Sequence, residues 1–236
     1  MAQVTATTID ATGMETRAVN RAIRRAAAEG ASEIRVRNPA GRHSFAVALT
    51  GEDLRVVLEG PAGWYTAGMN TGPTIVIDGN TGWAVGECMM DGRIEVHGHA
   101  GSGTAASIRG GLVYVNGDTG ARAGISMKGG MLVVGGSVGY MSGFMMQAGT
   151  IVVCGDAADG LGDSMYEGTI YVGGRIASRG ADAEIEQLTD DDRTMLRTTL
   201  AEFGIDADAR DFTKIRSGRR LWNFSTKEPE LWTSAL

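Results

Sequence analysis

The sequence predicts a mainly β chain: a right-handed parallel β-helix of about seven 19-residue coils, with an N-terminal helix-plus-strands cap and a C-terminal helix and tail. Three observations lead there. Gly60, Gly79, Gly98, Gly117, Gly136, Gly155 and Gly174 recur every 19 residues without a slip. A short, mostly β-branched run precedes each, at residues 56–58, 75–77, 94–96, 113–115, 132–134, 151–153 and 170–172. A second pattern, Gly-x-x-Gly-x-x-x-Gly, is complete at Gly79/Gly82/Gly86, Gly117/Gly120/Gly124 and Gly136/Gly139/Gly143. A fixed period of this size marks a repeat architecture. Each coil must return to the same lateral position, as parallel strands stacked about 4.8 Å apart do, giving a rod roughly 34 Å long. Parallel crossovers are right-handed in nearly all cases. A left-handed hexapeptide helix would repeat at 18, and this chain repeats at 19.

Residues 1–50 form the cap. A helix is expected over residues 15–29, with Val19, Ile23, Ala26 and Ala27 on one face, arginines on the other, and Gly30 as its stop. Strands are expected at residues 33–37 and 44–49, with Asn38-Pro39-Ala40-Gly41 as the turn between them. Residues 51–177 are the repeat. Ala67, Ala105 and Ala158 replace single glycines there, read as places where only small size is needed. Gly92, Gly111, Gly130, Gly149 and Gly168 mark strand starts. The column Met89, Ile108, Met127, Met146, Met165 reads as an interior ladder. Residues 178–236 lose the glycine pattern. Thr189 followed by three aspartates reads as a helix N-cap, with the helix running to Phe203 and ending at Gly204. The basic, aromatic tail, including Arg219, Arg220 and Trp222, either docks a partner or packs back on the rod.

Net charge is -6, which excludes the basic footprint of a nucleic-acid binder. No apolar stretch is long enough to span a membrane, and the first residues do not read as a secretion signal, so a cytoplasmic protein is expected. Cys88 and Cys154 sit at different positions of the 19-residue unit, which argues against a disulfide. Thirty of the 36 glycines lie between Gly51 and Gly174, and the regular apolar runs between them argue for order.

Residues 19 apart are neighbours in a stacked coil, so chemistry can be sought by column. His97 and His99 flank Gly98, but Cys154 stands three coils from His97, too far to share a metal ion. Asp78, one coil away, can orient His97. Glu87 and Asp163, and Asp91 and Glu167, are separated by neutral coils, so no adjacent carboxylate pair arises. No catalytic, cofactor-binding or metal-ligating residue is expected. Two surface columns stand out as possible interfaces. Arg109 and Lys128 are one coil apart, either answered by an acidic partner or splayed into solvent. Trp64 and Trp83 share a column, either covering the core or forming an interface.

The registered repeats resemble the GXGXG β-helix domain that closes the large subunit of glutamate synthase and occurs as a separate subunit in related complexes. The resemblance covers the N-terminal unit and all seven coils. It implies a structural, non-catalytic role. The stand-alone length resembles the β-helix subunit of complexes that make N-methylglutamate from methylamine and glutamate. That resemblance implies a hetero-oligomer with an amidotransferase-like subunit and a synthase-like subunit carrying FMN and an iron–sulfur cluster. A second resemblance is to the β-helix subunit of formylmethanofuran dehydrogenase and of the related formyltransferase/hydrolase complex. An independent carbohydrate-active β-helix enzyme is the contrasting class. It would carry aligned acids and long loops on one face.

Overall fold

The computed structural model describes residues 5–220. Its strands are β1 (Ala6–Asp10), β2 (Glu33–Arg37), β3 (Arg55–Glu59), β4 (Thr71–Ile77), β5 (Asp91–Val96), β6 (Leu112–Val115), β7 (Lys128–Val134), β8 (Ala148–Val153), β9 (Thr169–Val172), β10 (Ala183–Glu186) and β11 (Thr213–Ser217). The helices are α1 (Thr16–Ala28) and α2 (Asp190–Glu202). One sheet contains every strand in the order β1-β2-β3-β4-β5-β6-β7-β8-β9-β11-β10. From β3 to β9 all pairings are parallel, and Ile75, Ile94, Val113, Leu132, Ile151 and Ile170 stand directly opposite one another in turn. The fold is a parallel β-helix, as the period predicts.

The interior follows from the alternation of side chains along a strand. The column from Ile34 and Val56 to Ile170, and the column from Val36 and Leu58 to Val172, are fully buried, as are Met89, Ile108, Met127, Met146 and Met165. A further inner column carries Thr66, Thr104 and Ser142 in alternate coils. Their hydroxyls donate to the carbonyls of Gly63, Gly101 and Gly139, so no buried hydroxyl there lacks an acceptor.

The arc opposite the sheet has a backbone that composition does not announce. Left-handed φ values recur at every second residue: Tyr65, Ala67 and Met69, then Ala84, Gly86 and Cys88, then on through Ser164. Their amides point alternately up and down the rod. Tyr65 donates to Trp83, Ala67 back to Phe45, and Met69 forward to Glu87. This alternation stitches each arc to both neighbours and offsets the cost of about 1 kcal/mol or more that a side chain incurs in this region. It corrects two expectations. Ala67 and Ala105 have φ of 58° and 57°, so they bear the left-handed backbone and are more than small substitutes for glycine. Residues 44–49 are not a strand, because Ser44, Ala46 and Ala48 adopt the same left-handed alternation and form the first arc.

The N-terminal unit continues the sheet. β1, unread in the sequence, pairs in parallel with β2, which pairs in parallel with β3. Residues 38–41 therefore turn a corner of a coil and do not join a hairpin. α1 buries Val19, Asn20, Ile23 and Ala26. Asn20 Nδ2 donates to the Ser44 carbonyl at 2.7 Å, pinning the helix to the first arc. Arg42 fastens the same end: it donates to the carbonyls of Ala11, Met14, Asn38 and Pro39.

The C-terminal segment packs back on the rod. α2 begins at a capping box in which Thr189 and Asp192 satisfy each other's amides. Its Leu196 and Leu200 cover the outer face of the sheet at Tyr114, Val133, Val152 and Tyr171, together with Ala209 and Phe212. The sequence did not register β10 and β11 as strands. β11 runs antiparallel between β9 and β10 and closes the end of the stack.

Candidate functional site

The 19-residue offset brings polar side chains into a ladder along one corner of the rod. Asn80 Oδ1 accepts the amide of His99, His99 Nδ1 that of Asp118, and Asp118 Oδ1 that of Ser137. Ser137 Oγ then accepts the amide of Asp156, and Asp156 Oδ1 that of Arg175. Every one of these bonds is 2.8 or 2.9 Å and spans one coil. Because His99 Nδ1 accepts, its ring proton resides on Nε2. The glycine ladder lies beside these acceptors and is needed for close approach: a Cβ on Gly136 would stand 2.3 Å from Asp118 Oδ1 and 2.9 Å from the Gly117 carbonyl carbon.

His97 Nδ1 lies 2.9 Å from Asp78 Oδ1, so the aspartate one coil below orients the ring. Among the described residues no group of three His, Cys, Asp or Glu side chains could hold a metal ion. Both cysteines are free, and burial pushes the Cys154 thiol up to about 11, which leaves it a poor nucleophile near neutrality. Glu167 is engaged by Arg219 at 3.0 Å and by Arg216 at 3.8 Å. A cleft of about 790 Å³ lies along α1 and is lined by Arg17, Arg21, Arg24 and Glu15 among others.

The surface columns are arranged as follows. Trp64 and Trp83 stack at 5.3 Å with their planes 16° apart, and both are exposed. His43 extends the stack, 4.7 Å from Trp64, and its Nδ1 accepts the Trp64 amide. Glycine makes room for these rings, since a Cβ on Gly82 would lie 2.2 Å from Trp64 Cδ1. The sequence missed His43 because the first coil is longer: Trp64 follows it by 21 residues. Arg109 is exposed and Lys128 half-buried, with Lys128 Nζ 3.3 Å from the Ser126 carbonyl. Arg219 pairs with Glu167, and Arg220 Nη2 lies 3.1 Å from Glu184. Trp222, also expected at an interface, lies outside the described residues.

Among the described residues no helix is long and apolar enough to cross a membrane. Residues 11–204 match the family model described as GXGXG motif. No curated protein matches the chain.

Proposed function

The chain belongs to the GXGXG motif family, and from this we propose that it is a non-catalytic scaffold subunit of a glutamate-synthase-like complex. The observation that carries the reading is the polar ladder. The acceptors along the corner of the rod are spent on the next coil's amides. Such a rod is a stiff wall, suited to holding other chains in fixed relative orientation. The complex we have in mind is an N-methylglutamate synthase, which turns methylamine and glutamate into N-methylglutamate and ammonia. In it this chain would hold an amidotransferase-like subunit against a synthase-like subunit carrying FMN and an iron–sulfur cluster. This chain itself would bind neither cofactor.

The test is purification of the tagged chain from its own host, with mass analysis and an absorbance spectrum. The expected result is co-purification of amidotransferase-like and synthase-like chains with flavin and iron–sulfur absorbance, and methylamine-dependent formation of N-methylglutamate. Recovery with formyltransferase or amidohydrolase chains would move the assignment to the formyl-transfer complex. Recovery of the chain alone would overturn the scaffold reading.

A further inference from the structure

Three successive coils carry an arc unlike the rest of the chain. Residues 101–111, 120–130 and 139–149 contain Arg109, Arg122 and Lys128 and no Asp or Glu, in a chain of net charge -6. Three of the acids that border this arc are committed elsewhere, while Glu87 and Asp91 stand on the coil before it and Asp159 on the coil after it. Asp118 accepts the Ser137 amide, Asp163 the Ser164 hydroxyl and the Ala181 amide, and Glu167 pairs with Arg219. The Lys128 side chain leans over the arc toward Ser126. Beside the cations lie Ile125, Met141, Phe144 and Met145, all half-buried, and Tyr140, 53% exposed, with Ile125, Phe144 and Met145 in the columns between Arg122 and Lys128. None of these five belongs to either hydrophobic core. Their backbones are bonded coil to coil, Arg122 to Tyr140 and Ser126 to Phe144, each at 2.8 Å, so they form one patch.

We propose that this patch docks a partner protein whose surface presents an apolar knob ringed by Asp and Glu. The inference rests on the scaffold reading and names which face of the rod it uses. An apolar centre with a charged rim is the anatomy of a protein interface, and methionines adapt to the shape they meet. The rod already covers the outer sheet face with α2, and the patch lies on the opposite arc. A second copy is a poor occupant, because a two-fold contact would set Arg122 and Lys128 against their own counterparts.

The experiment uses the complex purified through a tag on this chain. A carbodiimide joins Lys128 to any carboxylate in contact with it, and mass analysis of the peptides identifies the chain and residue. The expected result is a Lys128 crosslink to an Asp or Glu of a co-purifying chain. The double variant R122E/K128E should lose that chain about tenfold or more, while R17E/R21E on α1 retains it. Thermal melts check that both variants fold. If the partners co-purify but R122E/K128E holds them within about twofold and Lys128 stays uncoupled, this surface is wrong and the scaffold reading stands. Coupling of Lys128 to a second copy alone would also overturn it. If the native chain brings down no partner, both readings fall.

Discussion

The ring of Phe203 stacks on that of Tyr114, with centroids 3.9 Å apart and planes 14° from parallel. This contact joins the end of α2 to the sheet, and Arg93 lies over the same Phe203 ring at 5.1 Å while pairing with Glu202. The C-terminal helix is thus bolted to the rod at its far end as well as at its cap.

Replacing Phe203 with Ala removes the bolt and spares the coils. The expected loss is about 1–3 kcal/mol, because the ring is only part-buried. Limited proteolysis should cut within residues 190–217 faster than in wild type, while the far-ultraviolet spectrum of the sheet is kept. Equal protease resistance in the variant would show that α2 is held by other contacts.

The other end of α2 is pH-sensitive. Burial opposes ionisation of Asp192, but hydrogen bonds from Tyr171, the Thr189 amide, Lys214 and the Thr189 hydroxyl outweigh it and hold the carboxyl well below the usual range. A depressed carboxylate contributes stability that is full above its unfolded value, about 3.9, and drains away as pH falls toward the folded one. Asp192→Asn should therefore cost about 2 kcal/mol near neutrality, since Lys214 keeps Glu186 at 3.2 Å. Melts of both proteins from pH 7 to pH 2 should converge at the acid end, and a constant gap would contradict the assignment.

Gly136→Ala should be far more damaging than Gly13→Ala. A methyl at Gly136 meets the coil below at 2.3–3.0 Å, whereas one at Gly13 meets nothing within 4 Å and bears only an unfavourable φ of +69°. Costs of about 3 kcal/mol or more and of about 1 kcal/mol are expected. Chemical denaturation of the pair measures the difference, and equal midpoints would remove the close-approach argument.

Asn80→Ala leaves the His99 amide without its acceptor. The site is at the surface, so water can replace the side chain and the loss should be about 0.5–1 kcal/mol. Amide exchange at His99 should rise while that of Val96, inside the sheet, stays slow.

Much of this was legible because one number, 19, sets both the sequence period and the strand register. Ile75 against Ile94 and Trp64 against Trp83 follow from it directly, and Thr189 declared its cap through the aspartates after it. What was missed breaks the period. β1 meets β2 at an offset of 27 residues, Ala6 against Glu33. β11 reaches β9 from beyond α2. Tyr65, Met69 and Arg122 carry left-handed backbones that their side chains do nothing to announce, since only stacking makes such values tolerable. The candidate docking patch was half visible: Lys128 and Arg109 align by column, but the period alone does not say that Ile125, Phe144 and Met145 beside them are left half-exposed.

The antiparallel closure by β11 has a consequence for solubility. A stack of parallel coils is a template at each end, and an uncovered β9 would offer its full row of amides and carbonyls to the next molecule. Here the last strand is β10, four residues long, with Glu184 and Glu186 on either side of an exposed Ile185. A chain shortened to end before Ala183 should lose that stopper and polymerise head to tail into fibres.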